Sequence, residues 1–469
     1  MALGRFSLRN SSAPPAVKAV KKELAPAQGS IAPAPRDAVS PEGFSVTQRL
    51  LDAKLRIHRR LIDEINLSVV DKMSEREIRP QIHELVAQHV SNEKIILNAT
   101  ELEQFVDDIL HEMTGLGPIE PLLKDDTISD IMINTHLQIY IERFGQIELS
   151  PARFKDEAHL LRIINKIVST VGRRVDESQP MCDARLLDGS RVNVAIKPIA
   201  VDGPLVSIRK FSKRPYSMEK LVEINSISKE MAALLAASVA GRVTILVSGG
   251  TGSGKTTMLN ALSTFIALDE RLITIEDAAE LQLQQPHVAR METRPPSIEG
   301  KGEIRQRELL KNALRMRPDR IIVGECRGEE AFDMLQAMNT GHEGSMTTIH
   351  ANTTRDAISR LEQMIGMAGY PMTIQSIRSQ VAAAIKLVVQ LQRLSDGKRR
   401  VIGISEISGI EGDVIQMQEI FRFNRVSTNE DGSIVGYYQA TGIRPKFLSE
   451  LAHRGLNVPT SYFDPSRQL

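Results

Sequence analysis

Apolar positions along this 469-residue chain change period several times, and each change marks a boundary. Residues 1–44 mix Pro, Ala, Ser and Lys with little aliphatic periodicity, the pattern of a disordered tail. Leu50, Leu51, Leu55, Ile57, Leu61, Ile62 and Ile65 then fall on one helical face. Ser74 with Glu77 has the spacing of a capping box, and helices are expected over 78–90 and 100–113. Residues 45–114 therefore read as a helical bundle. Gly115-Leu-Gly-Pro118 ends it, and the period drops to two. Strands over 128–134 and 138–141, a hairpin at 144–147, a helix over 158–171 and strands over 192–196 and 205–211 make an α+β domain of residues 115–212. The polar stretch 213–228, with Pro215, reads as a linker. Residues 229–469 open with a helix over 231–239.

After it, residues 243–247 are apolar or β-branched without alternation, as in a strand buried on both faces. Beyond lies an alternating rhythm of strands (272–275, 320–325, 345–349) and helices (258–268, 303–317, 331–338, 357–367), with a loop at 291–302. Such alternation predicts a parallel sheet covered on both sides, an α/β fold. Residues 384–441 turn β-rich, with hairpin signals at Asp396-Gly397, Glu411-Gly412 and Asp431-Gly432.

Chemistry concentrates after the unalternating strand. Gly249-Gly250-Thr251-Gly252-Ser253-Gly254-Lys255-Thr256-Thr257 is a full phosphate-binding loop between a strand and a helix. Its glycines let successive N–H groups converge on one anion, and the helix N-terminus adds positive potential. Lys255 suits the β- and γ-phosphates of ATP, and the Thr256 hydroxyl suits Mg²⁺.

Phosphoryl transfer also needs a group to orient the attacking water. Glu276 and Glu325 each end an apolar strand, where ligands collect in open parallel sheets. Each is a candidate, the other reading being a salt bridge at a sheet edge. His342 and His350 bracket one strand; His350 falls at a strand's carboxyl end, and a γ-phosphate sensor competes with structural roles. Arg191 and Arg209 lie at strand ends of the α+β domain, where ordinary surface arginines are the default. Cys326 reads as a buried structural thiol.

Composition narrows the classes. Lys+Arg and Asp+Glu nearly cancel to a net charge of +1, aromatics are 4% and Trp is absent, so a nucleic-acid partner is not expected. Two distant cysteines match no metal or disulfide pattern and fit a reducing, cytoplasmic setting. No apolar run reaches the length of a spanning helix, so any membrane role is expected to be peripheral.

Four motifs occur in order: the phosphate loop, the acidic box Thr274-Ile-Glu-Asp-Ala-Ala-Glu280, Ile322-Val-Gly-Glu-Cys-Arg-Gly328, and Thr340-Gly-His-Glu-Gly-Ser-Met-Thr-Thr-Ile-His-Ala-Asn352. Together they resemble the secretion-ATPase superfamily of type II and type IV secretion and type IV pili. The stretch Ile404–Phe421 is closer to its CpaF/TadA branch, the motors of Flp (tight-adherence) pili. The resemblance implies a homohexameric ring, cytoplasmic and peripheral at the inner membrane, working on pilus platform proteins. It also implies a RecA-like P-loop ATPase core behind an α+β (PAS-like) domain and the helical bundle, with ATP and Mg²⁺ between core and α+β domain. It implies that Arg191 and Arg209 face phosphate, that Glu276 belongs to an acidic box and Glu325 to an atypical Walker B strand, and that His342 and His350 form a histidine box. The tetracysteine zinc module of type II relatives is absent. A type IV secretion ATPase and, at greater distance, a RecA-like nucleic-acid motor are the alternatives.

Overall fold

The computed structural model describes residue 57 and residues 75–92, 97–211, 215–296 and 301–469. The expected tail and most of the first helical stretch, including Ser74 of the expected capping box, lie outside the described residues. What is described of the bundle is a helix pair, α1 (Glu75–Asn92) and α2 (Ala99–Met113). Asn98 caps α2 in a capping box with Glu101. Ile78, Ile82, Val86 and Val90 of α1 and Phe105, Val106, Ile109 and Leu110 of α2 are buried. The end of α2 is tied to the next domain: Glu112 lies 3.0 Å from His159 Nε2 and accepts from Arg162 at 3.2 Å.

A short helix α3 (Glu120–Lys124) leads into strands β1 (Ile128–Thr135), β2 (Gln138–Arg143) and β3 (Gln146–Leu149), helix α4 (Glu157–Thr170), and strands β4 (Met181–Arg185), β5 (Arg191–Ala195) and β6 (Leu205–Arg209). The sheet runs β3-β2-β1-β6-β5-β4, antiparallel throughout. One face packs on Leu160, Ile163, Ile164, Ile167 and Val168 of α4, capped by Asp156. This is the α+β architecture expected, with β4 as the strand the pattern did not reveal.

The stretch expected as a linker is partly built into the core. Ser217 caps a helix α5 (Met218–Glu223), and Met218, Leu221 and Ile227 are buried. Ser226 accepts from Val401 N at 2.8 Å and donates to the Arg399 carbonyl at 2.7 Å. Three apolar side chains among polar ones were enough to dock it.

The C-terminal core holds α6 (Lys229–Ala240), β7 (Ile245–Gly249), α7 (Lys255–Ser263), β8 (Leu272–Glu276), β9 (Val288–Glu292), α8 (Gln306–Ala313), β10 (Arg320–Cys326), α9 (Glu330–Asn339), β11 (Met346–Ile349), α10 (Thr354–Met367), α11 (Ile374–Ala384), β12 (Leu387–Arg393), β13 (Arg399–Glu411), β14 (Val414–Thr428), β15 (Ile434–Ala440) and α12 (Leu448–His453). Its sheet runs β15-β14-β13-β12-β7-β11-β10-β8-β9. From β12 to β9 neighbours are parallel; β13 to β15 extend the sheet antiparallel. Each face has its own apolar cluster. Ile245 and Val247 point to the side of α6 and α7, and Leu246 to the side of α8 to α11. Burial on both faces is why this strand shows no alternation. The architecture is mixed α/β, a RecA-like core behind an α+β domain.

Two further details differ from expectation. Helix α7 begins at Lys255 and stops at Ser263, where Ser263 and Thr264 hydroxyls donate back to the Asn260 and Ala261 carbonyls. Such local bonds compete with helix continuation. β9, which the pattern did not reveal, runs over Val288–Glu292 into the first two residues of the expected loop, and its half-buried edge position blurs the alternation. Among the described residues, no helix is long and apolar enough to cross a membrane.

Candidate functional site

The loop between β7 and α7 takes its shape from its glycines. Gly254, at the helix N-cap, has φ +94°, a conformation that side chains with a Cβ resist. That sharp turn brings Lys255 back over the loop, where its Nζ donates to the Gly249 and Gly250 carbonyls at 2.9 and 3.1 Å. Ser253 Oγ donates to Gly250 O at 2.8 Å. A cleft of about 870 Å³ opens above, lined by Thr251 through Thr257 among others. Burial pushes the Lys255 ammonium below the usual lysine range; Glu325 opposes that shift, while Arg327, Arg209 and Arg360 add to it. A half-buried ammonium among further cations is a strong attractor for a polyphosphate.

Both candidate glutamates line this cleft. Glu276 ends β8 and is 3% exposed. Its Oε1 accepts from Glu280 N and Leu281 N at 2.8 and 2.9 Å, while Oε2 has no hydrogen-bond partner. Burial raises its pKa, against those two backbone bonds. Glu325, near the end of β10, accepts from Arg327 at 2.6 and 3.0 Å, and Arg327 also reaches Asp277 at 3.3 Å. The glycine before Glu325 has a reason. A Cβ on Gly324 would sit 2.8 Å from Glu276 Cγ, so the two carboxylates share this corner only because residue 324 lacks one.

The α+β domain closes the opposite side of the cleft. Strand register puts Glu142, Asp130, Arg209, Arg191 and Arg185 in one row across β2, β1, β6, β5 and β4. Arg191 and Arg209 both line the cleft. Arg191 donates to Glu280 of the acidic box at 3.0 Å, and Arg209 to Asp130 at 3.2 Å. Arg185 pairs with Glu292 at the end of β9 at 3.0 Å. Arg191 and Arg209 remain partly solvent-exposed, at 40% and 56%, yet both line the phosphate loop's cleft.

The histidines separate. His350, just past β11, lines the cleft. His342 precedes β11, at the other end of the strand, and its Nδ1 lies 3.1 Å from the Ala337 carbonyl. In a parallel sheet the cleft lies at carboxyl ends, so the two do not meet in this cleft. Cys326 is buried with its thiol pKa pushed far up by burial, which leaves it inert. Sequence reasoning missed Arg327, Arg393 and Arg399, all cleft-lining. Arg327 stands inside a quoted motif and was within reach; the other two lie on β12 and β13, which only folding brings back over the loop.

The chain was also compared by sequence and by structure with known proteins. The family described as "Type II/IV secretion system protein" matches residues 112–443. A putative conjugal transfer protein of Mycobacterium tuberculosis is 35% identical over 325 residues, covering 68% of this chain and 92% of the relative. The type IV secretion system protein VirB11 of Bartonella quintana is 32% identical, covering 62% and 92%. Among solved structures, the Brucella suis VirB11 ATPase superposes with TM-score 0.34 at 27% identity, over 62% of this chain and 95% of that one. With a phosphate loop, an acidic box and a glutamate-ended strand meeting in one cleft, and the family match spanning both domains, the chain belongs to the Type II/IV secretion system protein family.

Proposed function

We propose that this chain is an ATP-hydrolysing motor that assembles as a homohexameric ring at the inner membrane and drives a Flp/Tad-type pilus. One observation carries the reading. The cleft over the phosphate loop is walled by both domains, with Lys255, Glu276 and Glu325 on one side and Arg191 and Arg209 on the other. Chemistry inside such a joint moves the joint, which is what a motor requires.

Lys255 and the loop N–H groups hold the phosphates. The donor set fits Mg²⁺: Thr256, which carries a hydroxyl, lines the cleft, and Glu276 keeps one buried carboxylate oxygen unpartnered. Among the described residues no group of three or more His, Cys, Asp or Glu forms a cage, in keeping with an ion held largely by phosphate and water. When bound, Mg²⁺ would neutralise charge on the β- and γ-phosphates. Glu325, drawn from Arg327, orients the attacking water and takes its proton. Arg191 and Arg209 exchange Glu280 and Asp130 for γ-phosphate oxygens, a contact suited to guanidinium. Loss of phosphate releases that contact; Arg209 returns to Asp130 of its own domain, and the hold between the domains weakens.

The names of relatives support a second reading, a type IV secretion ATPase. The test is an ATPase assay on the purified chain, with DNA or anionic lipid added, beside imaging of pili in a deletion strain. Turnover raised by lipid and not by DNA, with pili lost, is expected. Turnover raised by DNA alone, or intact pili, would overturn the pilus reading.

A further inference from the structure

Asp130 and Glu142 face each other directly across β1 and β2. Like charges so placed repel. Each is held by a different arginine set. Asp130 takes Arg209 of its own domain. Glu142, whose side chain is 13% exposed, is held from the ATPase core: its Oε1 lies 3.3 Å from Arg393 and 3.5 Å from Arg399. Those two arginines flank the hairpin turn between β12 and β13. Arg393 also donates to the Gly145 carbonyl in the turn between β2 and β3. Arg399 uses its remaining edge differently: Nε donates to the Gly252 carbonyl of the phosphate loop at 2.8 Å.

We propose that Glu142, Arg393 and Arg399 form a brace that fixes the phosphate loop at Gly252 and ties its conformation to the position of the α+β domain. The inference rests on the nucleotide-binding reading above and names positioning residues for it. A peptide carbonyl fixed by Arg399 restricts the peptide planes on either side of it, and with them the directions of the loop N–H groups that an anion would use. Arg399 holds that pose because Glu142 fixes its far end. The brace spans two domains, so opening of the joint strips Glu142 from the arginines and loosens the loop. By linkage, nucleotide in the loop favours the position in which Glu142 is seated. The brace needs a guanidinium: one planar fork reaches the Gly252 carbonyl and the Glu142 carboxylate together, which a single ammonium point cannot do.

The test is fluorescent-ADP binding to the full chain. Wild-type protein must bind, since failure there would sink the nucleotide reading itself and not the brace. Glu142→Gln, nearly isosteric, is expected to weaken ADP binding about 5-fold or more, the lower range of linked sites. Arg399→Lys is expected to match it despite keeping its charge, and the double variant to be no weaker than either single one. Saturating turnover should fall less than affinity, since no catalytic group is removed. Thermal melts confirm that each variant is folded; Glu142→Asp, shorter but charged, should recover part of the affinity and serves if Glu142→Gln does not fold. Wild-type affinity in Arg399→Lys, unchanged affinity in Glu142→Gln, or fully additive losses in the double variant would overturn the brace.

Discussion

Replacing Glu325 by Gln separates binding from chemistry. The amide keeps the shape of the side chain but loses the charge that Arg327 now holds at 2.6 and 3.0 Å. That pair is loose in energetic terms, because the Arg327 side chain is 56% exposed; losing it costs the fold below about 1 kcal/mol. The variant should therefore melt within a few degrees of the parent. If Glu325 takes the proton of water, turnover falls by roughly 10² to 10⁴-fold, a barrier increase of about 2.7 to 5.4 kcal/mol. ADP affinity near neutral pH should stay within a few-fold. The structure adds a second signature. The Glu325 carboxylate opposes the burial that lowers the Lys255 pKa, so its removal lets that pKa fall further. Phosphate binding depends on the protonated ammonium, and it is lost as pH rises through the folded-state pKa. The alkaline limb of ADP binding should thus move to lower pH in Glu325→Gln. Single-turnover hydrolysis and fluorescent-ADP titrations across pH measure both effects. Equal loss of affinity and turnover, or turnover unchanged, would refute the reasoning.

Other outcomes follow from the same geometry. Lys255→Ala removes the point charge over the loop and should abolish turnover and weaken nucleotide binding, read by calorimetry; near-normal activity would sink the nucleotide reading. Arg191→Ala and Arg209→Ala leave behind carboxylates that still reach solvent, Glu280 at 29% and Asp130 at 25% exposure, so folding should hold while turnover drops at least about tenfold. Labels in residues 120–210 and 260–380 should differ in distance between ATP-analogue and ADP states in the parent, and that difference should shrink in both variants. Arg320→Met strips Glu270 of two 2.7 Å bonds inside the core, leaving it Arg242 at 3.2 Å; a urea melt should show a loss of about 3 kcal/mol, the lower end for breaking a buried pair.

The sequence by itself determined the elements whose chemistry or period is local. The phosphate loop was legible because glycine spacing, the lysine and the flanking strand and helix are all contiguous. Strands buried on both faces, such as β7 and β8, announced themselves as unbroken apolar runs. Glu276 and Glu325 were legible as strand ends, since in a parallel sheet the carboxyl end alone places a residue at the cleft. Only the tertiary structure decided what depends on register and return. Residues near 142, 252, 393 and 399 carry no shared pattern in the chain; two antiparallel hairpins bring them together over one loop. Arg191 looked like a surface residue until strand pairing set it in a row with Arg209 and Arg185. His342 and His350 were already legible as bracketing one strand; the structure adds that only His350 lines the cleft, while His342 Nδ1 lies by the Ala337 carbonyl. Local pattern reports what one segment does with its own backbone. Which charges meet across a cleft is set by the packing of separate segments, whose joint free energy no single segment carries.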